Sequence, residues 1–263
     1  MIDDRVRESI EILREHEPED GYFGCFSGGK DSVLLRHLAE RAGVKVRWHY
    51  SNTTMDPPEL IWFMRKHHPD LTVLQPRHGH MVHRVASRHC LPTRRFRWCC
   101  SEYKEANGPR GATLLVGIRA EESARRAKQW DVKTWHKNRR RWFAAPILNW
   151  ASDELWEYLR QERVPYCDLY DEGWKRLGCI GCPMAHQSVR REEFQRWPRH
   201  KGLWRLGCQR LWEHRKGTLM PSGREWFVSA TFSAWEEYFE WWQLDRQWPC
   251  KRQLQLPGFE RRY

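Results

Sequence analysis

No run of this chain approaches the apolar length of a membrane-spanning helix, and the opening Met1-Ile2-Asp3-Asp4-Arg5 has neither the basic nor the apolar region of an export signal. The expectation is no membrane and a cytoplasmic, reducing setting. Acidic residues are also in deficit, with 34 Asp and Glu against 46 Lys and Arg and a formal net charge of +12. The surface field therefore attracts polyanions, either nucleic acid or the smaller nucleotide phosphates and sulfate. Internal repeats and low-complexity tracts are lacking. Cysteine is not scarce, but nine of them, an odd number in 263 residues, do not make a secreted disulfide frame, which leaves metal binding or thiol chemistry. A chain of this length can bury a real core, as one α/β domain with a smaller appendage.

The Walker A spacing is missing too, which argues against an ordinary P-loop NTPase. In its place stands Phe23-Gly24-Cys25-Phe26-Ser27-Gly28-Gly29-Lys30-Asp31-Ser32, an apolar strand entering a glycine turn and then an amphipathic helix. Gly28 and Gly29 can take positive φ and leave no Cβ in the way, so successive N–H groups can turn toward an anion at the positive end of the helix. Lys30 adds a point charge, and Ser27 and Ser32 add hydroxyls. Asp31 suits three roles: holding magnesium, orienting the loop or capping the helix. The run resembles the PP-loop, Ser-Gly-Gly-x-Asp-Ser, of N-type ATP pyrophosphatases and sulfonucleotide reductases.

Along the chain, Asp3 or Asp4 caps a first helix with Val6, Ile10, Ile12 and Leu13 on one side, ending before Pro18. Strands are predicted at 22–26, 44–50, 71–74, 113–118 and 142–145. Helices are predicted at 32–41, from Pro57, at 78–88 and at 153–162, with Gly43 ending the first of these. Strands separated by such helices argue for a parallel sheet flanked by helices. Beyond Gly181 the pattern is wholly helical, at 189–197, 203–214 and 232–242, followed by a mobile basic tail. The expected organisation is a nucleotide-binding α/β domain over 1–185, holding the paired cysteines, and a helical region over 186–263. Trp204, Trp212, Trp235, Trp241 and Trp242 have the spacing of a helical core rather than a base-stacking surface.

Cys99-Cys100 and Cys179-Ile180-Gly181-Cys182-Pro183 supply four thiolates in two pairs of metal-ligand spacing. Adjacent cysteines diverge, so they suit a tetrahedral zinc less well than the separated corners of a 4Fe-4S cubane. Cys25, Cys90 and Cys167 have the setting of small buried thiols.

Cys-Cys followed by Cys-x-x-Cys behind this loop is similar to adenylyl-sulfate and phosphoadenylyl-sulfate (PAPS) reductases that carry a 4Fe-4S cluster, and to the ATP pyrophosphatase of DNA phosphorothioation systems. Gly117-Ile118-Arg119-Ala120-Glu121-Glu122-Ser123-Ala124-Arg125 resembles the family's Gly-x-Arg-x-x-x-Ser-x-x-Arg segment, and Ala145 to Trp150 with Val164 to Gly173 its approach to the Cys-x-x-Cys. The resemblance covers roughly residues 20 to 185. It implies a PP-loop, adenine-nucleotide-alpha-hydrolase-like fold, ATP or adenylyl sulfate as nucleotide, and magnesium beside it. Cleavage of ATP to AMP and pyrophosphate, in support of sulfur transfer, follows from the same likeness. It further implies a cluster on Cys99, Cys100, Cys179 and Cys182, a sulfur-donor or thiol-reductant protein as partner, and a homodimer as a candidate assembly.

The Glu-Cys-Gly-Leu-His segment of the assimilatory reductases is missing from this chain, which tilts the acceptor toward DNA or RNA. Cys250, in a basic neighbourhood that lowers a thiol's pKa, is either its substitute or an incidental tail residue. Lys30, Asp31, Arg119 and Arg125 are the catalytic candidates. The two arginines follow a strand at the sheet edge where parallel folds bind ligands, and a guanidinium fits phosphate or sulfate with two donors; a solvated surface arginine is the alternative. Asp56 fits either a turn or a contact to ribose or metal. The basic stretch from Arg125 to Arg141, interleaved with Trp130, Trp135 and Trp142, is either a grip for nucleic acid or a solvated segment. Two further functions remain open: a sulfonucleotide reductase releasing sulfite, and a non-catalytic, nucleotide-gated nucleic-acid-binding module.

Overall fold

The computed structural model describes residues 2–246. Its contacts divide the chain into two compact units, one from Met1–Pro76 and Ser101–Gly178, the other from Arg77–Cys100 and the described residues from Cys179 on. A single boundary after residue 185 treats each part as a continuous stretch. The contacts instead follow two excursions of the chain, and both cysteine pairs fall in the second unit.

The first unit is a six-stranded sheet in the order β3-β2-β1-β4-β6-β5. Its strands are β1 Tyr22–Phe26, β2 Val46–Ser51, β3 Thr72–Leu74, β4 Thr113–Leu115, β5 Lys133–His136 and β6 Arg141–Ala144. Helices α1 Ile2–Glu15, α2 Lys30–Ala42, α3 Pro58–His67, α6 Ala124–Gln129 and α7 Ser152–Gln161 belong with it, numbered in chain order. The first four strands pair in parallel, as expected of strands joined through helices, and β6 joins β4 in parallel. The fifth pairing adds an antiparallel edge to this mostly parallel sheet. Lys133–His136, taken in the sequence for part of a basic segment, runs antiparallel to β6 at the edge, with Trp135 opposite Trp142.

Helix α2 is the core of this unit. Val33, Leu34, Leu35, Leu38, Ala39 and Ala42 are all buried, and Gly43 ends the helix at φ 71° with its N–H on the carbonyl of Glu40. Helix α1 buries Val6, Ser9 and Leu13, while Ile10 and Ile12 are only half-buried. The serine is drawn inward by hydrogen bonds. Its Oγ donates to the Pro146 carbonyl at 2.9 Å and accepts the Trp150 indole N–H at 2.8 Å. Nearby, the Tyr22 hydroxyl donates to the Leu13 carbonyl at 2.9 Å, tying helix to strand.

The second unit comprises α4 Met81–Ala86, the start of α5 Trp98–Tyr103, α8 Gln187–Arg196, α9 Pro198–Arg215 and α10 Trp235–Gln243. The expected helical character beyond Gly181 is present, with one interruption where Leu219 bridges Glu225 antiparallel. Gly207 lets α9 approach α4, because a Cβ there would lie 3.2 Å from that of Val85. Aromatic side chains hold the irregular segment between α4 and α5. The indoles of Trp226, Trp98 and Trp242 donate to the carbonyls of His89, Cys90 and Pro92, and the Tyr238 hydroxyl accepts from Leu91 N. Buried loop backbone must find partners, and tryptophan supplies one along with a large apolar ring. Trp204, Trp212 and Trp242 are buried as expected of a core, whereas Trp235 and Trp241 are half-buried.

Two outcomes follow for stability. Leu35→Ala removes a fully buried side chain from α2 and should cost about 2–5 kcal/mol in urea unfolding, while Trp62→Ala, at a side chain 69% exposed, should change stability by less than about 0.5 kcal/mol. His68 packs edge-on to Phe26 and Phe63, and burial, helped by the Arg36 charge, pushes its pKa down to about 4. The unfolded chain, near 6.5, takes up this proton first, so stability present above about pH 6.5 is lost as the pH falls toward 4. In His68→Gln, urea midpoints measured across that window should fall less steeply than in the wild type.

Candidate functional site

Strand β1 lies between β2 and β4, so the strand order reverses there, and the carboxyl ends of β1 and β4 are the place where open parallel sheets bind ligands. The Ser27–Ser32 loop leaves β1 at this point. Gly28 stands at φ 75°, and a Cβ on it would come within 2.8 Å of Leu60 and 3.0 Å of Met64, so both handedness and space require glycine. Helix α2 begins at Lys30, two residues earlier than expected, with Gly29 extended at its N-cap and no side chain capping it. Asp31 is thus not a cap. Ser32 staples the loop instead, its Oγ donating to Gly29 O at 2.8 Å and accepting from Ser27 N at 3.3 Å. The Lys30 N–H donates to the hydroxyl of Tyr170, 140 residues away, at 2.9 Å.

The charges beneath the loop are arranged around one carboxylate. Lys30 Nζ lies 3.1 Å from Asp31 Oδ2, and Arg119 Nε lies 2.6 Å from Asp31 Oδ1. Arg119 is only 3% exposed, and its Nη1 also reaches Glu121 at 2.7 Å and the Trp150 carbonyl at 3.2 Å. It is therefore not the solvated arginine of the alternative reading; it backs Asp31 from inside. The close pass that makes this contact needs Gly117, where a Cβ would sit 3.0 Å from the Asp31 backbone. Arg125 lies on α6, and its side chain falls outside the described residues. Cys250 lies outside them as well.

Tyr170 is a site residue that motif reading passed over. It sits in a short 3-10 turn, Asp168–Tyr170, within an edge-to-face cluster with Trp156 and Tyr166. Burial raises its pKa, so it stays a protonated hydroxyl that accepts from Lys30 and keeps its own proton to donate. The only sequence signal for it is the aromatic cluster ahead of the Cys-x-x-Cys. Asp56 accepts from Tyr50 and Thr53, both at 2.6 Å, as a buried turn carboxylate does. In the basic stretch, Arg126 pairs with Glu122, Arg139 pairs with Glu105 at 2.6 Å, and Arg141 is buried against the backbone of 105–107. Much of that charge is compensated within the unit. Trp135 and Trp142 remain exposed as a tilted pair 5.2 Å apart, with Lys133 over Trp142.

In the second unit the four cysteines of the paired motifs carry no disulfide. Cys99 is hydrogen-bonded to Cys100, and its pKa is raised first by that bond, then by burial and by the nearness of Cys100, Cys179 and Cys182. Cys99 thus feels the other three thiols, but among the described residues no three His, Cys, Asp or Glu side chains are arranged to hold a metal ion. The Cys-x-x-Cys turn is pinned from two sides. Glu193 accepts from Gly181 N at 2.7 Å, and the Trp204 indole donates to Ile180 O at 2.9 Å. Gly181 has φ 74°, and a Cβ would collide with Phe194 and Trp204 at 2.7 Å. Cys90 is buried and pushed up to about 12 by desolvation, and burial pushes Cys25 to the same value, as expected of inert thiols.

Residues 22–185 match the family described as the phosphoadenosine phosphosulfate reductase domain, and the chain belongs to that family. It is 28% identical over 255 residues to an uncharacterised protein of Methanocaldococcus jannaschii, covering 82% of this chain and 51% of that protein. It is 26% identical over 200 residues to the adenosine 5'-phosphosulfate reductase of Allochromatium vinosum, covering 69% and 75%. Against the first of these relatives, and a second from the same organism, the chain spans only 51% and 41% of their length. The crystal structure of PAPS reductase from Candida auris in its phosphate complex superposes with a TM-score of 0.52 at 17% identity, over 69% of this chain and 95% of that one. At that identity the likeness shows the fold.

Arg119→Ala should leave Asp31 with a single cation and destabilise the protein by about 2–3 kcal/mol, the loss being tempered by Asp31's partial exposure. Arg119→Lys should recover less than half of it, since an ammonium cannot span Asp31 and Glu121 together. Thermal unfolding of the two variants checks both.

Proposed function

We propose that this chain is an enzyme that binds ATP or a related adenylyl nucleotide at Ser27–Ser32, cleaves ATP to AMP and pyrophosphate, and supports sulfur transfer to a nucleic acid. The observation that carries the reading is the glycine turn at the start of α2, at the sheet's switch point, with Lys30, Asp31 and Arg119 paired beside it. The N–H groups of the helix start, the Lys30 ammonium and the Tyr170 hydroxyl all favour negative charge there. A substrate oxygen attacks the α-phosphorus, the bond to the β-phosphate oxygen breaks, and pyrophosphate leaves with that electron pair, steadied by these donors. A sulfide-level sulfur nucleophile from a donor protein then attacks the acceptor atom that bears the adenylated oxygen, the bond between that atom and the oxygen breaks, and AMP leaves carrying the oxygen. Both carboxylate oxygens of Asp31 already face cations, so magnesium would ride on the phosphates instead.

A 4Fe-4S cluster is supported by the chemistry of the donor set alone, four free cysteines in two short-bite pairs, and not by a metal-holding arrangement among the described residues. Thiols bind such a cluster as thiolates, and a cubane takes each at its own corner. Cys99, Cys100, Cys179 and Cys182 would hold it, and when bound it supplies electron transfer or an electrostatic anchor for sulfur chemistry. A sulfonucleotide reductase is the second reading, favoured by the 75% coverage of the Allochromatium reductase.

Protein prepared anaerobically is offered ATP with magnesium, with and without DNA or RNA, and separately adenylyl sulfate with a dithiol reductant. Pyrophosphate release stimulated by nucleic acid is the expected result. Sulfite from adenylyl sulfate, with no pyrophosphate from ATP, would establish the second reading instead, and a colourless protein without iron or sulfide would remove the cluster. Stripping the iron should leave nucleotide binding intact and abolish sulfur transfer.

A further inference from the structure

Two tryptophans of the first unit stand outside its core. Trp135 on β5 and Trp142 on β6 are 41% and 38% exposed, and the strand register sets them directly opposite each other. Trp98, Trp150, Trp204, Trp226 and Trp242 are buried, and each gives its indole N–H to a partner inside the protein. Among the described residues, neither Trp135 nor Trp142 has such a partner. Their rings lean together with centres 5.2 Å apart, and Lys133 Nζ lies 5.4 Å from the centre of the Trp142 ring.

The charge around the pair is one-sided. Between Arg125 and Arg141 the chain has eight Lys and Arg against one acid, Asp131. Some of these cations are paired or buried, but the exposed Lys133, Lys137 and Arg140 of the hairpin have no carboxylate partner among the described residues. Lysine at a sheet edge has an ordinary use, since it discourages a second strand from pairing there. Exposed tryptophan has the opposite effect, because it makes the edge stickier. Aromatic faces beside unpaired cations suit a ligand that carries flat rings and negative charge together. The position suits it as well. Strand β6 runs parallel to β4, and β4 to β1, so Lys133, opposite Ala144, lies at the same carboxyl edge as the Ser27–Ser32 loop. In the order β1-β4-β6-β5 the hairpin's outer strand is three strands from β1, about 14 Å at about 4.8 Å per strand.

We propose that the β5–β6 hairpin is a docking surface for single-stranded nucleic acid, with bases stacked on Trp135 and Trp142 and phosphates on Lys133, Lys137 and Arg140. This deepens the nucleic-acid acceptor reading given above and rests on it for the occupant. A single strand is the occupant because the bases of a duplex are already stacked on one another and offer no free face to an indole.

The test uses the full chain and fluorescein-labelled oligothymidylate or oligouridylate, read by fluorescence anisotropy over a salt series; the two sugars separate DNA from RNA as the source. An abasic strand of the same length and charge should bind about tenfold more weakly or worse. Trp135→Ala and Trp142→Ala should each weaken binding about tenfold with the salt dependence unchanged, and Trp135→Phe should keep most of the affinity. Lys133→Gln, Lys137→Gln and Arg140→Gln together should flatten the slope of log affinity against log salt by about 2. Equal binding of the abasic strand or of a duplex overturns the proposal, as does wild-type affinity in both alanine variants. Should those variants fail to fold by circular dichroism, the intact and abasic strands compared on the wild type decide. A wild-type dimer that Trp135→Ala splits into monomers assigns the pair to a second copy of this chain and overturns the proposal too. If nucleic acid stimulates pyrophosphate release equally in wild type and both alanine variants, only the surface is wrong. If binding needs both tryptophans but no adenylyl nucleotide is turned over, the enzyme reading fails and the surface stands.

Discussion

The carboxylate of Asp31 is the joint on which the first unit's site depends. It meets Lys30 from its own helix turn and Arg119 from 88 residues further along the chain. The strand β4 ends early, at Leu115, so that the chain can bring Gly117 against the α2 backbone and Arg119 beneath the loop. Two cations share that carboxylate and Arg119 also pairs with Glu121, so the charges beneath the glycine turn are compensated and no large buried charge is left alone. Its floor is rigid for the same reason, since Arg119 also holds Glu121, which accepts from Ser152 N at the start of α7.

The second unit solves a different problem. Its segments around the cysteines are irregular, and irregular backbone is stable inside a protein only where each polar group is answered. Tryptophan indoles and one tyrosine hydroxyl do this for residues 89–92, and Glu193 with Trp204 does it for the Cys-x-x-Cys turn. The abundance of tryptophan, seventeen in this chain, is thereby explained in part as scaffolding.

Local chemistry was legible in the sequence, and long-range pairing was not. The run from Phe23 to Ser32 announced strand, turn and helix because apolar alternation and two glycines act within a few residues. The start of α2 shifted by two residues, since no side chain caps it and Gly29 simply stays extended. Strand β5 was hidden because four residues in a basic stretch carry too short an alternation; only the facing pair Trp135 and Trp142 gives it a register. Arg119 was picked out as important, but its inward direction depends on Asp31, Glu121 and Trp150, which no local pattern reveals. Tyr170 and Glu193 belong to no short motif, so only the folded chain brings them into view. The spacing of the cysteine pairs suggested one metal centre, whereas among the described residues no three such side chains are arranged to hold a metal ion.

The central claim is that the loop after β1 is where an adenylyl nucleotide puts its phosphates. Hydrogen–deuterium exchange read peptide by peptide with and without magnesium and ATP tests it directly, because the amides that would meet the phosphates belong to few residues. The account predicts new protection in the peptides spanning residues 22–35 and 113–123, and none in strand β3. Protection confined to other segments, or no change at the loop under saturating nucleotide, would contradict it.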